Sequence, residues 1–600
     1  MDIFNNLWNL YLSLVFSLSL QGSASYCNVT SPVVVNIFQG TLQGVSKTSL
    51  YGRTFCAFKG IPYSQPPLGE CRFKAPRQPL QWSGTLNATT EPPPCLQFNS
   101  ELETIGKEDC LYLSVYTPQL ATQNDDPFPV MVYIPGEDWV SSATTNYGPE
   151  YLMDRDVVLV IINYRLGSLG FLSTGDGTAP GNFGLKDQVQ ALRWVRDNIN
   201  AFGGDPNKVT IFGHSSGAAS VHYHILSPMS TGLFHRAIMQ SGTAVSPDFR
   251  PSTDAAAWTR RLARLVGCST ENTTQLIACM RVADAKKLLK LGASYHTPVV
   301  EDDAEEEVFL PDHPFHLMKD GRVNGVPVLL GTVGNEGSYW AAKTLQNPEE
   351  IQKWNDHVDD FTDAPSSFQL FNEKHCGRDL WEPILNYYFG ASNHTFDISK
   401  SEALSKMYGD RKVYYPVHVA TTMLSISGLQ PIFVYNFDYS SSDHMYNFST
   451  EFGPYIGVSH GDDKLYFFNY THPPRSDVTS LEDMAISTFT TLWASFAKEG
   501  NPTPHVQIHD VVWEPVQPFT QTNFHIQYLQ ITRAVPSSGK LVDLRIREDL
   551  FKERMDFWKA LPLEDNPYLS VTAKMSSSYG PALRSTVIAI VLSAVVVLFC

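Results

Sequence analysis

The chain has 600 residues, 43% apolar and 12% aromatic, ample material for a large core. Its formal net charge of −17 rules out the dense basic surface that phosphate neutralisation requires, so no nucleic-acid partner is expected. No internal repeat, low-complexity tract or Pro/Gly/Ser-rich linker divides the interior, and one large α/β domain is expected over residues 26–565.

Leu10 to Leu20 is apolar and is followed by Gly22-Ser23-Ala24-Ser25, the pattern of a secretory signal peptide over residues 1–25, although Asp2 replaces the usual cationic start. Val33 to Ile37 and Phe128 to Ile134 are β-rich runs. Asp156 to Asn163 is nearly all apolar, as a strand covered on both faces would be. Leu185, Val189, Leu192, Val195 and Ile199 recur with helical period, predicting a helix from Leu185 to Phe202 that Gly203-Gly204-Asp205-Pro206 ends. A β-branched run then starts at Val209, breaks at Gly213-His214-Ser215-Ser216-Gly217, and Ala218 to His222 opens a helix. Strand, helix, strand is the unit of a parallel sheet.

The acidic run Glu301 to Glu307 is expected to be a solvated loop, since it lacks the glycine and alternating ligands of a calcium loop. No Cys or His spacing suits a metal, so neither metal nor cofactor is expected. Val326 to Gly331 and Ile432 to Phe437 read as further strands, and Thr479 to Lys498 as a packed helix. Glu553 to Leu561 suits a last helix that either packs on the core or pairs two copies in a homodimer. Ser576-Ser577-Ser578, a polar spacer and the uncharged run Ser585 to Cys600 resemble a GPI-attachment signal. Ser576 is then the attachment residue, 566–584 the polar stalk and spacer, and 585–600 the hydrophobic anchor signal; a short tail anchor is the alternative. Export to the extracellular face of the membrane would glycosylate the sequons at Asn28, Asn87, Asn272, Asn393, Asn447 and Asn469.

The chemistry concentrates at Gly213 to Gly217, a G-x-S-x-G pentapeptide between a strand and a helix. A sharp turn thrusts the serine hydroxyl out of the backbone, and flanking glycines remove the Cβ atoms that would clash. A serine is a weak nucleophile at neutral pH and needs a base and a group that orients that base. Asn335-Glu336-Gly337-Ser338 and Ser459-His460-Gly461-Asp462-Asp463 offer a carboxylate and an imidazole in strand-end loops.

With Glu108 to Tyr116, Phe58-Lys59-Gly60-Ile61-Pro62-Tyr63, Gly181 to Gln188 and Gln240-Ser241-Gly242, the elbow makes the chain resemble the type-B carboxylesterase/cholinesterase family from Val34 to Leu563. Thr297 to Glu301 and the Gly-His-Ser of the elbow are closer to secreted arthropod esterases. The resemblance implies an α/β-hydrolase fold, with a large mostly parallel central sheet flanked by helices. It implies Ser215 as nucleophile, Glu336 as orienting acid and His460 as general acid/base, hydrolysing a small-molecule ester through an acyl-enzyme. It implies disulfides Cys95–Cys110 and Cys268–Cys279. Cys56 with Cys71 is one further pairing the chain allows, with Cys27 and Cys376 also unassigned and no motif to choose among them.

Two departures from the family bear on function. Where an oxyanion loop of consecutive glycines is usual, the chain reads Pro135-Gly136-Glu137-Asp138-Trp139. The donors expected to meet the oxyanion are then the amides of Glu137 and Asp138, with Ser216 as a third. Inward carboxylates would oppose the transition state, and one lost donor costs about 10²–10³ in rate; carboxylates pointing to solvent would leave the amides working. The second departure concerns specificity: no tryptophan lies between Cys95 and Cys110, where cholinesterases carry one that binds choline, and His214 stands where they have glutamate, so choline esters are poor candidates. A serine carboxylesterase of small apolar esters is expected; the alternative is a catalytically impaired adhesion, binding or ester-sequestering protein on the same scaffold.

Overall fold

Strands with apolar residues at every position can be stable only where both sheet faces are covered, and the longest such runs form the centre of one sheet. A computed structural model describes Cys27 and residues 32–563, apart from 100, 122–125, 143, 293–296, 303–306, 358–377, 391–394, 441–443, 446–456, 471–479, 505–510, 521–523, 535–540 and 562. Its 13-stranded sheet contains β1 (Val33–Ile37), β2 (Gly40–Thr48), β3 (Thr54–Pro62), β4 (Tyr112–Thr117), β5 (Phe128–Ile134), β6 (Val158–Ile162), β7 (Gly204–His214), β8 (Arg236–Gln240), β9 (Val328–Val333), β10 (Ile432–Asp438), β11 (Gln527–Arg533) and β12 (Val542–Glu548), with a short strand, Thr85–Asn87, beside β2. The order is β1-β2-β3-β4-β6-β5-β7-β8-β9-β10-β11-β12. From β6 to β11 every pairing is parallel, and antiparallel strands close both edges.

Alternate residues of the central strands feed two cores. Val130, Val132 and Ile134 of β5 face one cluster, while Met131 and Tyr133 face the other; Val158, Val160 and Ile162 of β6 alternate with Leu159 and Ile161 in the same way. Each buried side chain of this size is worth roughly 1.5–3 kcal/mol over exposure. Onto the first face pack α1 (Phe183–Asn198), through Leu185, Val189, Leu192 and Val195, and α2 (Ser216–Leu226), through Ala218, Ala219 and Val221. Onto the second packs the long helix Ser480–Glu499, through Phe489, Trp493 and Phe496. The fold is thus the expected mostly parallel sheet between helical layers.

The predicted helix of Leu185 to Phe202 forms as α1 and a tight terminal turn, Ile199–Phe202, which Gly203 closes at φ 79°. The strand predicted from Val326 begins two residues later, because Pro327 has no N–H to give the sheet. The last helix, Lys552–Ala560, buries Met555 and Trp558 in the core.

One expectation is corrected, and one pairing left open is decided. The acidic run is not wholly solvated: Glu301 is 5% exposed. Its carboxylate receives Lys186 Nζ and Asn182 Nδ2, each at 2.6 Å, while Glu307 is exposed. Lys186 lies 115 residues away, so charge density along the run could not reveal which carboxylate turns inward. The third disulfide joins Cys56 to Cys27, whose Cα atoms are 5.4 Å apart, and among the described residues Cys71 is left outside any bridge. The bridges Cys95–Cys110 and Cys268–Cys279 form.

Residues 1–25, the stalk, the anchor signal with Ser576, Cys376, and the sequons at Asn28, Asn393 and Asn447 lie outside the described residues. Asn87, Asn272 and Asn469 are exposed. Among the described residues no helix is long and apolar enough to cross a membrane.

Because Lys186 and Glu301 are both almost fully enclosed, removing one charge strands the other. Glu301→Ala should cost about 3–5 kcal/mol in urea unfolding, whereas Glu307→Ala should stay within about 0.5 kcal/mol. Equal effects would show that the pair does not hold Val299 to Leu310 against α1.

Candidate functional site

Ser215 joins the end of β7 to the start of α2 with φ 57° and ψ −123°, a conformation L-residues avoid and one that stores roughly 1–3 kcal/mol. The surroundings leave it no alternative. Its N–H donates to Gln240 O on β8 at 2.8 Å, and its carbonyl accepts from Ala219 N in α2 at 2.9 Å. A Cβ on Gly217 would lie 2.2 Å from Ile134 O, and one on Gly136 would lie 2.2 Å from His214 O, so β5 and the elbow touch backbone to backbone.

The acid and the imidazole come from the loops after β9 and before the turn Asp462–Tyr466. Glu336 is fully buried; its Oε2 lies 2.6 Å from His460 Nδ1, and its Oε1 accepts from Val333 N at 2.9 Å. An isolated parallel bridge joins Asn335 to Ser459. Asn335 N donates to Val458 O at 2.8 Å and Ser338 Oγ donates to Ser459 Oγ at 2.8 Å, so the two loops move as one piece. Tyr414, at the end of a π-turn (Asp410–Tyr414), accepts from Glu336 N at 3.2 Å and sits against the carbonyls of Val333 and Gly334. Asp463 is buried, and burial pushes its carboxyl up to about 6. Gln240 Nε2 and the Tyr435 hydroxyl donate to Asp463 at 2.9 and 3.1 Å, tying the histidine turn to β8 and β10.

These loops bring His460 to the elbow. Its ring centre lies 4.5 Å from that of His214, the neighbour of Ser215, and 4.8 Å from that of Trp340. Among the described residues no hydrogen bond closes between the Ser215 hydroxyl and His460; such contacts often tighten only when substrate binds. His214 is held neutral: burial, then Lys464, then His460 push it well below the usual imidazole range.

The loop after β5 adopts a backbone normally left to glycine. Glu137, Asp138 and Trp139 have φ of 81°, 55° and 57°. Each left-handed L-residue costs roughly 1–2 kcal/mol. Trp139 holds one end, fully buried, with its N–H on Ser216 Oγ at 3.2 Å and its Nε1 on Ser220 Oγ at 2.8 Å. Asp138 is exposed. Glu137 takes a third course that neither sequence alternative contained: its Oε1 lies 2.7 Å from Lys464 Nζ. Ser216 opens α2, where backbone N–H groups have no intrahelical acceptor.

The structure thus joins Glu336 to His460 and sets His460 against His214, the residue before Ser215, while Lys464 ties Glu137 to the histidine turn and Trp139 meets Ser216. Sequence reasoning missed Tyr414, Trp340, Asp463 and Lys464. Asp463 stood within the segment quoted for His460 and Lys464 next to it, whereas nothing near Tyr414 marks it. Among the described residues no cluster of three or more metal-ligating side chains exists.

The profile of the carboxylesterase family matches residues 31–558. The chain is 34% identical to "Juvenile hormone esterase" of Tribolium castaneum over 599 residues, covering 93% of this chain and 98% of that protein. It is 37% identical to "Esterase FE4" of Myzus persicae over 513 residues (82% and 88%), and 34% identical to "Venom carboxylesterase-6" of Apis mellifera over 553 residues (89% and 95%).

The backbone contact at the elbow makes a test. Gly217→Ala should destabilise by about 3 kcal/mol, because Ile134 O belongs to the central sheet and cannot retreat. Gly232→Ala, at φ 74° with nothing within 4 Å, should lose only about 1 kcal/mol. Equal shifts in unfolding midpoint would show that the end of β5 yields.

Proposed function

The chain belongs to the carboxylesterase family, and from that premise we propose that it hydrolyses small apolar carboxylic esters through an acyl-enzyme on Ser215. The observation that carries this is the buried contact of 2.6 Å between Glu336 Oε2 and His460 Nδ1 beside a strained, glycine-packed serine. A carboxylate on Nδ1 keeps the proton there, so Nε2 is the free base. His460 takes the Ser215 proton as Oγ attacks the ester carbonyl, and the oxyanion collapses as the alcohol leaves with that proton. Water, deprotonated by His460, then releases the acid and restores Ser215. Glu336 stabilises the imidazolium formed in each half. Trp340 and Tyr339 beside His460 favour an apolar group on the ester.

Secretion, N-glycans on the exposed Asn87, Asn272 and Asn469, and a GPI anchor at Ser576 belong to the same proposal. One observation favours the second reading, a protein that sequesters an ester or adheres: three non-glycine residues occupy left-handed backbone in the loop that should bind the oxyanion.

A fluorophosphonate probe should label the wild-type protein and not Ser215→Ala, with turnover of p-nitrophenyl acetate following the same pattern. Glu336→Gln should lower kcat by about 10⁴-fold. Labelling without turnover would favour sequestration, and neither would favour adhesion. Phosphatidylinositol-specific phospholipase C should release the protein from cells; retention would count against the anchor.

A further inference from the structure

The ion pair at Glu137 concerns a residue to which the proposed chemistry gave no part. We propose that Lys464 is a positioning residue: its ammonium neutralises Glu137 and holds the loop after β5 in the backbone from which its amides meet the oxyanion. This rests on the esterase reading above.

A carboxylate in this loop is a hazard, because the reaction builds a negative charge on the ester oxygen beside it. Glu137 is not simply turned out to water. Its side chain is 32% exposed, whereas that of its partner Lys464 is 2% exposed. An ammonium so enclosed requires an anion, and Glu137 Oε1 at 2.7 Å supplies one. The pairing serves both groups: Lys464 offsets the charge of Glu137 beside the site, and Glu137 gives the enclosed ammonium an anion.

Position gives the pair its mechanical part. Trp139 pins the far end of the loop through Ser216 and Ser220, and Gly136 pins the near end against His214 O. Glu137 and Asp138 lie between, at φ of 81° and 55°, where glycine would need no external hold. Lys464 reaches Glu137 from the turn Asp462–Tyr466, four residues beyond His460. Its stem lies along Gly461, where a Cβ would come 3.0 Å from Lys464 Cε and 3.4 Å from His214 Cε1. One side chain therefore ties the histidine turn to the loop across from it, and a shift of either is felt by both.

The test compares kcat and KM for p-nitrophenyl acetate, and thermal unfolding, in Lys464→Met, Lys464→Arg, Glu137→Gln and the double variant Glu137→Gln with Lys464→Met. Lys464→Met should lower kcat about 10²-fold, the scale of one lost oxyanion donor, with KM changed by less than about threefold. Lys464→Arg should stay within about fivefold of wild type, and adding Glu137→Gln to Lys464→Met should regain at least about tenfold in kcat. If Lys464→Met does not fold, Lys464→Gln takes its place: it keeps a donor for Glu137 but leaves the charge, and Glu137→Gln should again restore activity. A wild-type kcat in Lys464→Met or Lys464→Gln, or no recovery in a folded double variant, overturns the inference alone. A wild type that neither turns over nor labels at Ser215 overturns the esterase reading and this inference with it.

Discussion

A carboxylate withdrawn entirely from water survives only where hydrogen-bond donors replace what the solvent gave it, and Glu336 is such a group. Its two oxygens are taken by a backbone amide of β9's end and by His460. Because that end of β9 is part of a parallel sheet between two apolar cores, the carboxylate cannot turn away, and neither can the imidazole bound to it. The bridge between Asn335 and Ser459 extends this constraint to the backbone. Asp463 and Gln240 carry it on to β8, whose last carbonyl also holds Ser215 N. The site is thus a rigid extension of the sheet, built from the C-terminal ends of β7 and β9 and the turn that β10 and β8 brace.

What the sequence disclosed follows from how local the cause of each feature was. β5, β6 and α1 were legible because two-sided or one-sided burial writes a period directly into neighbouring residues. The elbow was legible because its glycines answer to a steric demand within five positions. Glu301 was misjudged because its partner lies on another element, and no pattern of charge within the loop carries that information. Cys27 reaches Cys56 for a similar reason, since proximity is decided by how the first strands lie against each other. Tyr414 left no trace at all: a tyrosine in a helical stretch is ordinarily core, and only a π-turn aims this one at the acid loop.

The loop after β5 shows the opposite case. Its sequence announced a departure from glycine, yet two outcomes, carboxylates facing the site or facing water, seemed to exhaust the choices. Asp138 and Glu137 differ from each other instead. Asp138 is exposed, whereas Glu137 meets an enclosed cation. The backbone nonetheless keeps the left-handed course that glycine would follow, so conformation there is imposed by anchors rather than by intrinsic preference.

Glu336 and His460 stand 124 residues apart, and the elbow precedes both. A ribosome working at about 5–20 residues per second exposes Ser215 for on the order of ten seconds or more before the imidazole has even been translated. On the proposed mechanism, the nascent polypeptide carries an unactivated alcohol throughout that interval. Reactivity is then deferred until about three-quarters of the 600 residues have been joined.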